Sequence, residues 1–320
     1  MGAPKAIGEF TEGLNEINAS SGDVPVEGSR SSRLKGNTSS VYDMAALGSS
    51  KGDIWNWGMY DEEVAAEIEK LIPGFTDFET DGISEQLYFL ALKDIPLGFS
   101  EYSEKSVLEV GCGSGEGLNF LSRLLGDGSN LVGLDLSPLA VKRANATLGR
   151  GDRLRYVQGD AEELPFEGAQ FDVLINIESS HTYPDLRTFF EEAMRVLKPG
   201  GYLAHIDVFT RQRYELMTRL KRDLPGLDWI HERDISAEVR AGIRRRLAPG
   251  SHFRKTFADK RLPPLTRRIA EHSRTVIFGG VFAGYQDSGY IKLLRKLGVL
   301  PHGRHLPVES YRHHVAVKTA

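Results

Sequence analysis

Between residues 106 and 208 the side chains able to do chemistry fall at the ends of short apolar runs. The run SVLEV is followed by GCGSGEG, where Gly111, Gly113 and Gly115 make a tight strand-to-helix turn. Glycines there permit positive φ and let a ligand approach the backbone with no Cβ in the way. Glu109 stands two residues before the first glycine, where a carboxylate attracts an ammonium group and repels a pyrophosphate. Asp135 ends the next apolar run and can accept hydrogen bonds from both hydroxyls of a ribose. Asp160 follows a third run, LRYVQGD, placed to accept from an adenine amino group.

The dinucleotide fingerprint would need a glycine at Glu116, and the Gly-Lys-Ser/Thr of a phosphate loop is absent. An acid for a cation, an acid for a ribose and an acid for an amino group, in this order, outline S-adenosylmethionine. The stretch INIESSHTYPDL then stops an apolar run at Glu178, two serines and His181. A histidine suits general-base work because its ordinary pKa of about 6.5 lies near neutrality. Asp207, in the following run YLAHIDVF, could orient that imidazole and stabilise its charged form. The alternative is that His181 only touches the cofactor or shapes the pocket. Glu178 is a second candidate, for chemistry or for support of the cofactor.

The elements needed to position these residues are legible in the pattern. From Ser106, apolar strands alternate with amphipathic helices, which predicts an α/β fold with a parallel, doubly wound sheet. The strands are SVLEV, NLVGLDLS, LRYVQGD, FDVLINIES and YLAHIDVF, with SYRHHVAVK as the last. Helices are expected through LNFLSRLL, through SPLAVKRANATL with Ser137 as N-cap and Pro138 at the first helical position, and from Pro184 to KPGG. Gly200 suits a left-handed cap there. Upstream, DEEVAAEIEKLI puts Val64, Ile68, Leu71 and Ile72 on one helical face, and SEQLYFLAL starts a helix with Ser84 as N-cap. The expected organisation is a flexible tail (1–40), a helical cover (41–100), the ligand-binding core (101–209), an Arg-rich helical lid insertion (210–280) and a segment completing the sheet (281–320).

With 320 residues, 26% charged and 40% apolar, the composition is that of an ordinary soluble protein. No apolar run approaches the roughly 18 residues of a membrane span, and the first thirty residues lack a signal-peptide stretch. MGAPKA lacks the Ser or Thr of an N-myristoylation signal. The single cysteine, Cys112, excludes an intramolecular disulfide and a cysteine-rich metal site, so a cytoplasmic location is expected. Net charge is −4, yet residues 1–100 hold 7 Lys/Arg against 17 Asp/Glu, while residues 211–275 hold 17 against 8. Solvated helix faces account for this, or a contact within the chain, a homo-oligomer, or attraction of an anionic substrate.

The stretches VLEVGCGSGEG, LVGLDLS, VQGDAEELPFEGAQFDVLINIESSH and FFEEAMRVLKPGGYLAHID closely resemble class I S-adenosylmethionine-dependent methyltransferases, over about Ser106–Val208. NIESSHTYPD, WNWGMYDEE and SYRHHVAVK look most like small-molecule O-methyltransferases of natural-product and lipid biosynthesis, such as the mycobacterial phthiotriolone-type enzymes. The resemblance implies a Rossmann-like, seven-stranded sheet, S-adenosyl-L-methionine as donor and S-adenosyl-L-homocysteine as product. It implies cofactor contacts at Glu109, Gly111, Cys112, Gly113, Gly115, Asp135, Leu136, Asp160, Ala161, Ile177 and Glu178. The N-terminal helices and the 210–280 insertion would lie over the substrate. Related sugar O-methyltransferases pair a histidine and an aspartate at the motif positions of His181 and Asp207. The paired acids of catechol-type enzymes are not recognisable and no His/Cys cluster is visible, so no metal is expected. Nucleic acid is not expected either: NIES replaces the Asn-Pro-Pro-Tyr of base methylation, and the chain is acidic. The Arg-rich lid and the acidic tail depart from the family.

The function expected is O-methylation of a hydroxyl on a small-molecule secondary metabolite, with His181 as base. Two alternatives stand beside it. One is C-methylation of a prenyl or ring carbon, with the arginines of 211–275 holding a diphosphate. The other is a non-methylating cyclase or binding scaffold on the same fold. Trp55, Trp57 and Tyr60 could shield a sulfonium by cation–π contact, or the tryptophans could simply pack in the core. Tyr285, Tyr290, Tyr311 and His313 are candidates to line the substrate pocket.

Overall fold

The computed structural model describes residues 3–20, 28–48, 54–75, 80–256, 264–297 and 306–319. Parts of the expected tail, lid and C-terminal segment, at 1–2, 21–27, 257–263 and 298–305, lie outside these. Helices α1 (Ala3–Ala19), α2 (Gly28–Gly48), α3 (Glu62–Leu71) and α4 (Ser84–Lys93) precede the sheet. The core runs β1 (Ser106–Val110), α5 (Glu116–Leu124), β2 (Asn130–Asp135), α6 (Pro138–Leu148), β3 (Leu154–Gln158), β4 (Phe171–Ile177), α7 (Leu186–Val196) and β5 (Leu197–Phe209). Then come α8 (Arg211–Asp223), β6 (Leu227–Asp234), α9 (Ser236–Leu247), α10 (His252–Thr256), α11 (Pro264–Ile277), α12 (Gly289–Lys296) and β7 (Ser310–Lys318).

The seven strands lie in the order β3-β2-β1-β4-β5-β7-β6. Strands β1 to β5 pair in parallel, and β7 runs antiparallel to both β5 and β6. The order reverses between β1 and β4, so the chain leaves those strands in opposite directions and opens a crevice at their carboxyl ends. Both faces of the sheet are covered, which is why the strands read as near-continuous apolar runs. Val107, Ile175 and Ile206 pack in the cluster with α4, α5 and α9, while Leu108, Leu174 and Leu203 pack in the one with α7 and α8.

Local signals act as expected at α6, where Ser137 Oγ accepts from Ala140 N at 3.0 Å and Pro138 opens the helix. At α3, Val64 and Ile68 are buried, but Leu71 is exposed. Helix α4 begins at Ser84 with Ile83 at its cap, so Ser84 is not the N-cap; its Oγ accepts instead from Arg246 Nη2 at 2.8 Å. Helix α7 starts after Asp185, whose side chain accepts from Thr188 N, and ends at Val196. Gly200 does adopt φ 75°, but within β5, in the bulge between the paired residues Leu197 and Tyr202.

Two larger expectations are corrected. Much of the anticipated flexible tail is helix: α1 and α2 pack against each other, against α6 and against the loop after β4. Tertiary bonds stabilise α2 where periodicity is weak, for instance Arg143 Nη1 to Ala46 O at 2.6 Å. The 210–280 segment is not wholly helical, because LDWIHERD forms β6 and completes the sheet as its edge. Among the described residues, no helix is long and apolar enough to cross a membrane.

Arg246 on α9 ties this region to the N-terminal segment. It is 4% exposed and donates to both carboxylate oxygens of Asp81, to the carbonyls of Asn56 and Trp57 and to Ser84 Oγ. Replacing it by Met would take the cation from beside the Asp81 carboxylate and the donor from two carbonyls. Arg246→Met is therefore expected to cost about 3–5 kcal/mol, read as a lower urea midpoint at unchanged slope; an unchanged midpoint would refute this role.

Candidate functional site

A cleft of about 770 Å³, including its mouth, opens at the carboxyl ends of β1, β2 and β4. Gly111, Gly113, Asp135, Asp160, Ala161 and Glu178 contribute to its wall, as do Cys112, Leu136 and Ile177. Gly111 has φ 81°, and a Cβ there would stand 1.9 Å from Ser179 Oγ. At Gly113 a Cβ would meet the Trp55 ring at 2.9 Å. Gly115 forms the N-cap of α5 and packs on Tyr156, so it shapes the turn without lining the cleft.

The two oxygens of Asp135 accept from Gly113 N and Ser137 N, each at 2.8 Å. The acid at the end of β2 thereby also fixes the glycine loop. Glu109 is wholly buried behind Tyr88, whose hydroxyl donates to Oε1 at 2.6 Å, while Oε2 has no partner. Burial pushes its pKa up to about 8, against the Tyr88 hydrogen bond and with help from the nearby Asp135 charge. A cation brought next to this carboxyl would restore its charge.

Helix α2 forms the cleft's outer wall, through Lys35, Thr38, Ser39 and Tyr42. Lys35 Nζ lies 2.7 Å from Asp160 Oδ2 and 2.6 Å from Glu162 Oε2. Tyr42 packs against Trp55 with ring centroids 5.8 Å apart. No sequence signal pointed to Lys35 or Tyr42, because α2 has no clear apolar face.

His181 and Asp207 meet as expected, with Nδ1 2.7 Å from Oδ1. The imidazole is 13% exposed and the carboxylate 1%; neither is part of the cleft lining, to which Glu178, Ser179 and Thr182 on either side of the histidine belong. Burial would raise the pKa of Asp207, but the charge and hydrogen bond of His181, with His205 and Ser180, bring it down to about 2. An ionised Asp207 only accepts, so His181 Nδ1 carries the proton and Nε2 is left as the basic nitrogen. Burial lowers the His181 pKa, but the Asp207 charge and hydrogen bond outweigh it and the net shift is upward. The loop is held from outside by residues the sequence did not single out. Arg213, 2% exposed, donates to the carbonyls of Ser180 and Tyr183 at 2.8 and 2.9 Å, and Asn18 donates to His181 O at 2.8 Å.

Glu178 is the other titratable group here. Its Oε2 accepts from Tyr311 Oη at 2.6 Å and Trp57 N at 2.7 Å, and burial pushes its pKa up to about 7. Tyr311 and Trp57 thus belong to the site's margin. Tyr60, Tyr285, Tyr290 and His313 do not line the cleft. Arg245 lies 3.5 Å over the Tyr60 ring, Tyr285 Oη is 3.2 Å from His272 Nδ1, and Tyr290 neighbours Arg268. His313 faces Asp94 and His231, a cluster that the sequence reading did not detect.

With this geometry in place, residues 108–205 match the family model described as "Methyltransferase domain". The chain belongs to the class I S-adenosylmethionine-dependent methyltransferases. It is 34% identical over 223 residues, 69% of this chain and 76% of the relative, to the phthiotriol/phenolphthiotriol dimycocerosates methyltransferase of Mycobacterium tuberculosis (strain H37Rv). It is 44% identical over 145 residues to a probable phthiotriol/phenolphthiotriol dimycocerosates methyltransferase 2 of Mycobacterium ulcerans. That match covers 45% of this chain and spans only 55% of the relative's length. The fold is shared with a putative sarcosine dimethylglycine methyltransferase from Galdieria sulphuraria, at TM-score 0.53 and 18% identity, over 88% of this chain and 98% of that one.

The His181–Asp207 pair makes its own prediction. By NMR titration, His181 should keep its proton to a higher pH than an ordinary imidazole, and Asp207→Asn should lower its midpoint. Equal midpoints in the two proteins would contradict the coupling.

Proposed function

We propose that the protein transfers a methyl group from S-adenosylmethionine to a hydroxyl of a lipid-like small molecule, with His181 as general base. The observation that carries this reading is the 2.7 Å contact of His181 Nδ1 with Asp207 Oδ1 beside the cleft. The cofactor, when bound, supplies an electrophilic methyl on a sulfonium. The residues present fit it: Glu109 Oε2, behind the cleft-lining Tyr88, is a buried acceptor without a donor, and Gly111, Gly113, Asp135 and Asp160 share the cleft wall. In this reading Glu109 balances the ammonium group, Asp135 accepts from the ribose and Asp160 from the adenine amino group. His181 Nε2 takes the hydroxyl proton while Asp207 stays ionised and stabilises the imidazolium. Helix α2 and Trp55 exclude water from the cleft.

The relatives named for phthiotriol and phenolphthiotriol dimycocerosates, lipid alcohols by name, support a hydroxyl acceptor of that class. We place the reaction in lipid or natural-product biosynthesis, in the cytoplasm. Four of the arginines that the diphosphate alternative would use are engaged elsewhere. Arg213 and Arg246 are buried in internal hydrogen bonds, Arg233 pairs with Glu238, and Arg240 lies over the Phe282 ring.

His181→Ala should lower kcat by about 10²–10⁴ while calorimetric affinity for S-adenosylmethionine is retained, with S-adenosylhomocysteine formed stoichiometrically by the wild type. Undiminished turnover would exclude the base, and product without S-adenosylhomocysteine would exclude methyl transfer. Separately, Asp135→Ala should weaken cofactor binding at least tenfold, about 1.4 kcal/mol; an equal dissociation constant would refute the ribose contact.

A further inference from the structure

Away from the cleft, Asp94, His231 and His313 bring three potential ligand atoms within 4.8 Å of one another. Asp94 follows α4, His231 lies on β6 and His313 on β7, so three separate elements meet there. His313 Nδ1 is 3.1 Å from Asp94 Oδ2, and His231 Nε2 is 3.3 Å from the same oxygen. Ligands around a tetrahedral zinc, at bonds of about 2.0–2.1 Å, stand about 3.4 Å apart, so these separations nearly match the edges of such a polyhedron. Hydrogen bonding explains only one of the two contacts. His313 Nδ1 bonds to Asp94, but His231 Nε2 is buried, points to the same carboxylate and has no hydrogen-bond partner. The Arg233 guanidinium faces the cluster too, but it is paired with Glu238 Oε1 at 2.6 Å.

We propose that Asp94, His231 and His313 form a binding site for a divalent transition metal of the zinc class, with three protein ligands and a solvent-facing fourth position. Two imidazoles and one carboxylate are the donor set that zinc and its neighbours favour. The His231 side chain, 35% exposed, provides the entry side. A metal here would clamp the end of α4 onto the antiparallel edge of the sheet, two residues along β7 from Tyr311. Its role is structural, because none of the three residues lines the cleft. The proposal is independent of the methyl-transfer reading.

The test uses the full chain stripped with a chelator and titrated with Co²⁺, then with Zn²⁺. Expected are visible d–d bands that saturate at one equivalent, their loss on adding Zn²⁺, and a rise in melting temperature with Zn²⁺ of at least about 2 °C. His231→Ala, on the exposed side, should abolish the bands and the rise while melting like the wild type in chelator. Asp94→Asn should do likewise, whereas His181→Ala should keep both signals. The proposal is overturned by a wild type without bands or Zn²⁺-dependent melting, by signals that survive His231→Ala, or by signals lost in His181→Ala, which would move the ion to the His181–Asp207 pair.

Discussion

The buried Asp207 carboxylate is the constraint on which the loop beyond β4 depends. It accepts from His181 Nδ1, His181 N, Ser180 Oγ and Val208 N. An ionised carboxylate out of water costs several kcal/mol unless it is fully paired, so the segment from Ser180 to His181 must come down onto β5. The same demand sets the neighbouring groups. His205, on the same strand face, has its pKa lowered to about 3 by burial and stays neutral, bonded to Ser180 Oγ. Arg213 supplies the opposite charge at a distance; burial brings its pKa down to about 10, and it remains a cation. It holds two loop carbonyls, and α1 adds Asn18 from the other side. The imidazole therefore sits on a backbone fixed by groups from β5, α8 and α1.

Glu178 carries a second, smaller burden. It is a non-glycine residue at φ 49°, a conformation that costs about 1–3 kcal/mol and persists only where the surroundings enforce it. Its backbone N donates to Ile206 O at 2.7 Å, and its carboxyl receives Trp57 N and Tyr311 Oη. Three parts of the chain far apart in sequence thus converge on one side chain at the rim of the cleft.

What could be read in advance was what local chemistry decides. The glycine loop, the acid ending β2, the Ser137 cap and the apolar strands each follow from a few adjacent residues. So did the pairing of His181 with Asp207, because neighbouring parallel strands put their carboxyl ends together. What escaped was decided by distant contacts. In β6 the buried Leu227 alternates with charged and half-exposed residues, a pattern that reads as a polar segment until β7 lies beside it. Helix α2 is rich in Ser and Gly, and what holds it is distant: Lys35 pairs with Asp160 and Glu162, Leu34 and Ala46 are buried, and Tyr42 packs on Trp55. Tyr60 and Tyr285 were plausible pocket residues by type, but cation–π and hydrogen-bond partners within the helical region absorb them. Asp94 and His313 are separated by 219 positions, so no spacing rule could have joined them.

The position of β7 has a consequence for how the molecule is made. It is the last of the seven strands along the chain, yet it lies between β5 and β6 rather than at an edge. During synthesis β6 has no strand to pair with until residues 310–318 emerge, and Tyr311 reaches Glu178 only at that moment. A chain without β7 would hold every glycine and acid of the cleft and still lack the Tyr311 hydroxyl that holds Glu178 at its rim. The rim at Glu178 therefore takes its final form only after β7 has been inserted between β5 and β6, which couples the site to a late step of sheet assembly.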